Sequence, residues 1–183
     1  MKGIVFTEFL EMVEEKFSFE TLDRIIKEAA LPNDGAYTGV GTYDHRELVR
    51  LVSSLSATTQ VPAAELLRSF GQHLFGRFVQ GYPEFFRAPS GAFQFLLGIE
   101  NRIHTEVRKL YPDAELPRFD CRTPDPEHLI MDYLSVRGFA DLAEGLILGC
   151  IKHFGESIEL GRQDLAGTPG THVRFTLRRR VER

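Results

Sequence analysis

Cysteine is scarce: Cys121 and Cys150 are the only two in 183 residues, and they form no CxxC pair. That spacing argues against a disulfide framework or a cysteine-rich zinc site, and two buried, reduced thiols are expected. Tryptophan is absent. No apolar run approaches the roughly 20 residues that a membrane-spanning helix needs, and Glu8 and Glu11 interrupt the stretch where a signal peptide would carry its hydrophobic region. A cytoplasmic protein is expected. Basic charge is not in excess: 22 Lys and Arg against 26 Asp and Glu leave a net charge of -4, so no global field draws the chain to nucleic acid or anionic lipid. Arg178, Arg179 and Arg180 are a local exception, expected at a solvated strand edge.

What the chain has in quantity is apolar side chain, 43% of residues including 15 Phe, which suffices for one substantial core. Residues 1 to 183 are expected to form one domain, with a helical part over 1 to 63 and an α+β part over 64 to 183. Ile4, Phe6, Phe9, Leu10 and Val13 recur largely at three- and four-residue spacing, which predicts a helix over 3 to 15, and a second helix is predicted over 20 to 30. PNDGAYTGVGTY, 32 to 43, is rich in turn-formers and reads as a loop. Asp44 and Glu47 have the spacing of a capping box before the next helix, and Pro62 suits the first position of the one after it. A long helix is predicted over 91 to 110, ended by Tyr111 and Pro112. Beyond it the apolar period falls to two: strands over 118 to 122, 128 to 136, 157 to 160 and 172 to 177 accompany a helix over 139 to 154. The fold class is α+β, a helical N-terminal subdomain packed on a C-terminal antiparallel sheet plus helix, with a ligand site between them.

Two constellations carry chemistry. The first is His104. At about 100° per residue, Phe93 and Leu97 fall within about 20° of it on the helical wheel, and Leu96, Ile103 and Val107 lie to one side. A lone histidine in such a stripe is commonly a core residue bonded through one ring nitrogen. A neutral imidazole in a dry apolar wall is also what an axial haem ligand requires. The second is YLSVR, 133 to 137. Side chains alternate along a strand, so Tyr133, Ser135 and Arg137 share one face while Leu134 and Val136 share the other. A solvated strand face shows the same period. The sharper reading is an anion clamp, in which Arg137 donates a bidentate fork to a carboxylate and the two hydroxyls complete the set. Haem b unites the two constellations: a flat apolar macrocycle with two propionates needs an axial base, apolar walls and charge-assisted donors, and burying a propionate without partners costs several kcal/mol.

His104 followed by VRKLYP, then LPRFDC at 116 to 121, then Tyr133-x-Ser135-x-Arg137 and ADLAEGLILG at 140 to 149, resembles the haem nitric oxide/oxygen-binding (H-NOX) domain family. The opening MKGIVF is similar to that of stand-alone bacterial members, and LYPDAELPRFDC is similar to the haem domain of the soluble guanylate cyclase β subunit. The resemblance implies a haem-based gas sensor and not an enzyme. His104 would be the iron ligand, and Tyr133, Ser135 and Arg137 would hold the propionates of haem b. Pro117 matches a proline that presses on the porphyrin in the family, although a proline at the start of a strand reads equally well.

By the same resemblance Val5, Phe9, Leu74, Phe78, Leu142 and Leu146 line the distal pocket, and none has a donor in its side chain. Oxygen-binding members carry a tyrosine where this chain has Leu142. Bound O₂ needs such a donor and ferrous nitrosyl does not, so binding of NO and CO with exclusion of O₂ is expected. The altered conformation would be read by a separate signalling protein, a histidine kinase or a cyclic-di-GMP enzyme in stand-alone relatives. The cysteine-bound zinc of some bacterial members is not expected here. Two other classes compete: a haem enzyme such as a peroxidase, which needs a distal acid-base group, and a haem-free module that takes another apolar carboxylate and uses the arginine without His104. Gly145 and Gly149 leave a further choice between a face for a flat partner and close helix packing.

Overall fold

The computed structural model describes residues 1–165, 167 and 169–180. Four helices open the chain: α1 (Gly3–Lys16), α2 (Phe19–Ala29), α3 (His45–Thr59) and α4 (Ala63–Gly81). On α1 the three- and four-residue spacing turns Phe6, Phe9, Met12 and Val13 to one side, where all four are fully buried. Ser18 caps α2 by accepting from the Thr21 N–H at 3.2 Å, and Asp44 caps α3 by accepting from the Arg46 N–H at 2.9 Å. The reciprocal half of the expected capping box does not form. Glu47 is instead buried, and its carboxylate accepts from the Tyr37 hydroxyl at 2.7 Å. Pro62 stands at the N-cap of α4, one place earlier than expected.

A short α5 (Glu84–Arg87) leads into the stretch predicted as one helix over 91 to 110. Its path is helical but not uniform: α6 (Ala92–Leu97), a π-helical turn (Ile99–Ile103) and α7 (His104–Leu110) succeed one another. Strands β1 (Arg118–Asp125) and β2 (His128–Leu134) come next, then α8 (Ala140–Phe154), β3 (Ile158–Asp164) and β4 (His172–Arg179). All pairings are antiparallel and the order is β1-β2-β4-β3, as the α+β reading required. β4 is therefore an interior strand. Arg178 and Arg179 end it and Arg180 comes directly after it, so these arginines do not line a sheet edge; Arg179 lies 3.3 Å from Glu156 and over the Phe93 ring, and Arg180 3.9 Å from Glu159.

Two apolar clusters form the interior. One gathers α1 to α4 with Phe139 and Leu142. The other joins the inner sheet face (Leu129, Met131, Tyr133, Val173, Phe175, Leu177) to α6 and to Ala143, Ile147 and Cys150 of α8. Leu146 packs against both. The clusters are held in register by α4 and α8, which approach through glycine. A Cβ on Gly71 would run into the Leu142 carbonyl, one on Gly145 into the Arg68 backbone, and one on Gly149 would come within 2.7 Å of Phe75. Among the alternatives for Gly145 and Gly149, helix packing is thus what the fold uses.

Candidate functional site

His104 opens α7 directly after the π-helical turn and is 8% exposed. The wider turn adds one residue to the helical phase, a register shift of the kind that π-bulges bring to functional positions. Consequently Leu96, 2% exposed, takes the buried place in the stripe before His104, while Leu97 is 39% exposed and lines a surface cleft with Asn101 and Cys121. The uniform 100° wheel placed Leu97 wrongly for that reason.

The two ring nitrogens of His104 differ in their surroundings. Nδ1 lies 3.0 Å from Glu100 Oε1. A carboxylate only accepts, so the shared proton sits on Nδ1 and the lone pair of a neutral ring sits on Nε2. Nε2 has no hydrogen-bond partner among the described residues. Burial holds the imidazole below its ordinary pKa, against the opposing pull of Glu100, which favours that neutral form at physiological pH. The Phe119 N–H donates to the same Glu100 oxygen at 2.8 Å, and the Arg108 guanidinium lies 3.9 Å from the other. Glu100 escaped the sequence reading, although a carboxylate four residues before a helical histidine is a visible signal.

The 133 to 137 segment keeps the expected alternation but not the expected secondary structure. β2 ends at Leu134, and Ser135 and Arg137 lie in the turn beyond it. Tyr133 is 2% exposed, whereas Val136 is 97% exposed. The polarity of the segment is inverted relative to an ordinary half-buried strand: the phenol, hydroxyl and guanidinium face inward and the two aliphatics face water. Burial raises the Tyr133 pKa, opposed by contacts with the Ser135 side chain and the Phe139 backbone. The Ser135 hydroxyl accepts from the Arg137 N–H at 3.2 Å. Gly138 comes next with φ +68, which lets the chain turn at once into α8. Arg137, its side chain 13% exposed, donates to the backbone oxygen of Glu115 at 3.3 Å and pairs with the Glu115 carboxylate. Its fork thus already grips a carboxylate, and it comes from a loop residue that no local pattern marked. Pro117 sits immediately before β1.

On the other side, Val5 and Phe9 of α1, Leu74 and Phe78 of α4, and Leu142 and Leu146 of α8 belong to one apolar cluster. A cleft past Phe78 is lined by the buried Glu8 and by Arg77, which neutralise each other at 2.7 Å, with Arg77 reaching Glu11 at 3.1 Å. His73 lies beside Glu8 at 3.6 Å with its Nε2 unpartnered. Cys121 is a thiol, not a thiolate, because burial pushes its pKa up to about 12. No group of three or more His, Cys, Asp or Glu among the described residues could hold a metal ion by itself. No described helix is long and apolar enough to cross a membrane.

A neutral, buried imidazole whose Nε2 is left unpartnered, together with the inward-turned Tyr133, Ser135 and Arg137 of an α+β fold, is a donor set that fits haem. The profile described as "Haem-NO-binding" matches residues 2–162. The chain belongs to this haem-NO-binding, or H-NOX, family, whose members are haem-based gas sensor domains and not enzymes. Its fold is that of the Fe(II) unliganded H-NOX protein from K. algicida, with 38% identity over 100% of this chain and 98% of that one and a TM-score of 0.93. It is also similar to the IWP-051-bound H-NOX from Shewanella woodyi in the Fe(II)CO state (41% identity, 98% and 95% coverage, TM-score 0.84). A third relative is the S. oneidensis H-NOX protein in the Fe(II)NO state (25% identity, 99% and 100% coverage, TM-score 0.90).

Proposed function

We propose that the chain is a cytoplasmic sensor of NO that binds haem b through His104, takes up NO and CO, and excludes O₂. The observation that carries this reading is the division of labour on His104: Nδ1 is committed to Glu100 while Nε2 stays unpartnered in a buried, neutral ring. Tyr133, Ser135 and Arg137 serve the propionates, with Arg137 exchanging Glu115 for a propionate oxygen. Pro117 lies against the proximal side. Val5, Phe9, Leu74, Phe78, Leu142 and Leu146 form the distal wall and exclude water; Leu97 stays outside it. The sensing unit is the whole chain, residues 1 to 63 supplying one wall and residues 64 to 183 the rest.

Haem held by His104 Nε2 would supply an iron that takes up a diatomic gas. The response would belong to this chain's own residues: His104 would stay bonded through Nδ1 to Glu100 as its Nε2 side adjusts, and the stretch from α6 to α7 would relax against the sheet. That is a local bond change biasing a two-state element. The changed surface is read by a separate signalling protein, a histidine kinase or a cyclic-di-GMP enzyme.

Spectra of the ferrous protein under argon, air, CO and NO test the reading. The expected result is a five-coordinate Soret band that responds to CO and NO, is unchanged by air, and is lost or shifted in His104→Ala. A stable oxy spectrum, or a band indifferent to His104→Ala, would overturn it.

A further inference from the structure

We infer that Glu100 is the positioning residue of the site: its carboxylate sets the state of the His104 imidazole and ties it to β1, so that motion of the imidazole is felt by the sheet. This rests on His104 being the haem ligand. One oxygen, Oε1, receives both the His104 Nδ1–H at 3.0 Å and the Phe119 N–H at 2.8 Å. The imidazole and the second residue of β1 are thus joined through a single atom. A carboxylate behind a metal-bound histidine fixes the ring's tautomer and orientation and raises its donor strength.

The contact spans the π-helical turn. The Thr105 hydroxyl holds the Glu100 carbonyl at 3.2 Å, and the His104 N–H reaches back to Ile99, five residues earlier. The link continues past Phe119. Its ring lies 6.1 Å from the His104 ring and 5.4 Å from the Tyr133 ring, edge to face. Phe119 is also the register partner of Tyr133 across β1 and β2. Glu100 therefore stands at the head of a contiguous path from the imidazole to the inward-facing trio. β1 is one of the two edge strands, so a displacement passed to Phe119 arrives at a sheet edge.

Glu100→Gln keeps an oxygen for the Phe119 N–H but removes the charge, and Glu100→Ala removes both. In the haem-loaded ferrous protein, resonance Raman should show the iron–histidine stretch falling in Glu100→Gln and falling further in Glu100→Ala. Amide exchange at Phe119, read by NMR on the haem-free protein as well, should quicken about tenfold in Glu100→Ala, the factor equivalent to about 1.4 kcal/mol, and much less in Glu100→Gln. Thermal melts report whether either variant is merely unfolded, and wild-type Phe119 must itself exchange slowly. An unshifted stretch in Glu100→Gln beside a normal wild-type band would overturn this inference alone. A wild-type protein with no Soret band would overturn the reading beneath it.

Discussion

Glu47, Glu100 and Asp132 are three carboxylates whose roles are set by the partners the fold brings to them. Glu47 has capping-box spacing yet turns to the Tyr37 phenol, and in doing so it helps raise the Tyr37 pKa well above its ordinary value, mainly through burial. Asp132 lies opposite Asp120 across β1 and β2, and the like charge is offset by Arg174 at 2.7 Å and Arg122 at 3.2 Å. The Arg174 hydrogen bonds hold Asp132 below its ordinary pKa of 3.8. Its contribution to stability is therefore complete above that value and is lost as pH falls through the lower folded value. Asp132→Asn should narrow the difference in urea midpoint between about pH 5 and about pH 3. On the proposed distal wall Leu142, 8% exposed, offers no donor. Leu142→Tyr should introduce one and give a measurable oxy spectrum where the parent shows none.

At the scale of elements, most of the layout was legible in the sequence because it rests on period: 3.6 residues for α1 to α4 and α8, and two for the sheet. What escaped reading was register-breaking. The π-helical turn leaves no compositional trace, yet it moves Leu97 outward. The end of β2 at Leu134 was hidden because alternating burial continues through the turn to Arg137. The site was legible in part: His104 and the trio were marked by their chemistry and Glu100 by its spacing four residues before His104, whereas Glu115 needed tertiary contact. The α4 and α8 pairing supplies an internal comparison. Gly145→Ala forces a methyl into the Arg68 backbone and should destabilise by about 1–3 kcal/mol. Gly76→Ala, with open space around it, should stabilise by about 0.5–1 kcal/mol. Denaturant midpoints with unchanged slopes would report both.

For the whole molecule, the two apolar clusters meet at Leu146, and a ligand held by side chains from both would link their unfolding. Loading with haem b should raise the melting temperature, with a further rise that follows the logarithm of free haem, and His104→Ala should reduce that gain without abolishing the fold. Calorimetry of haem-free and loaded protein measures this. The glycine contacts between α4 and α8 carry a mechanical consequence. At Gly71 and Gly145 main chain rests on main chain, with no rotamer there to turn aside, so Leu74 and Phe78 should travel with Leu142 and Leu146 as one beam. Room for a guest molecule is then expected beside α1 or at the wide turn rather than between α4 and α8, and the compliance of such a sensor would lie there.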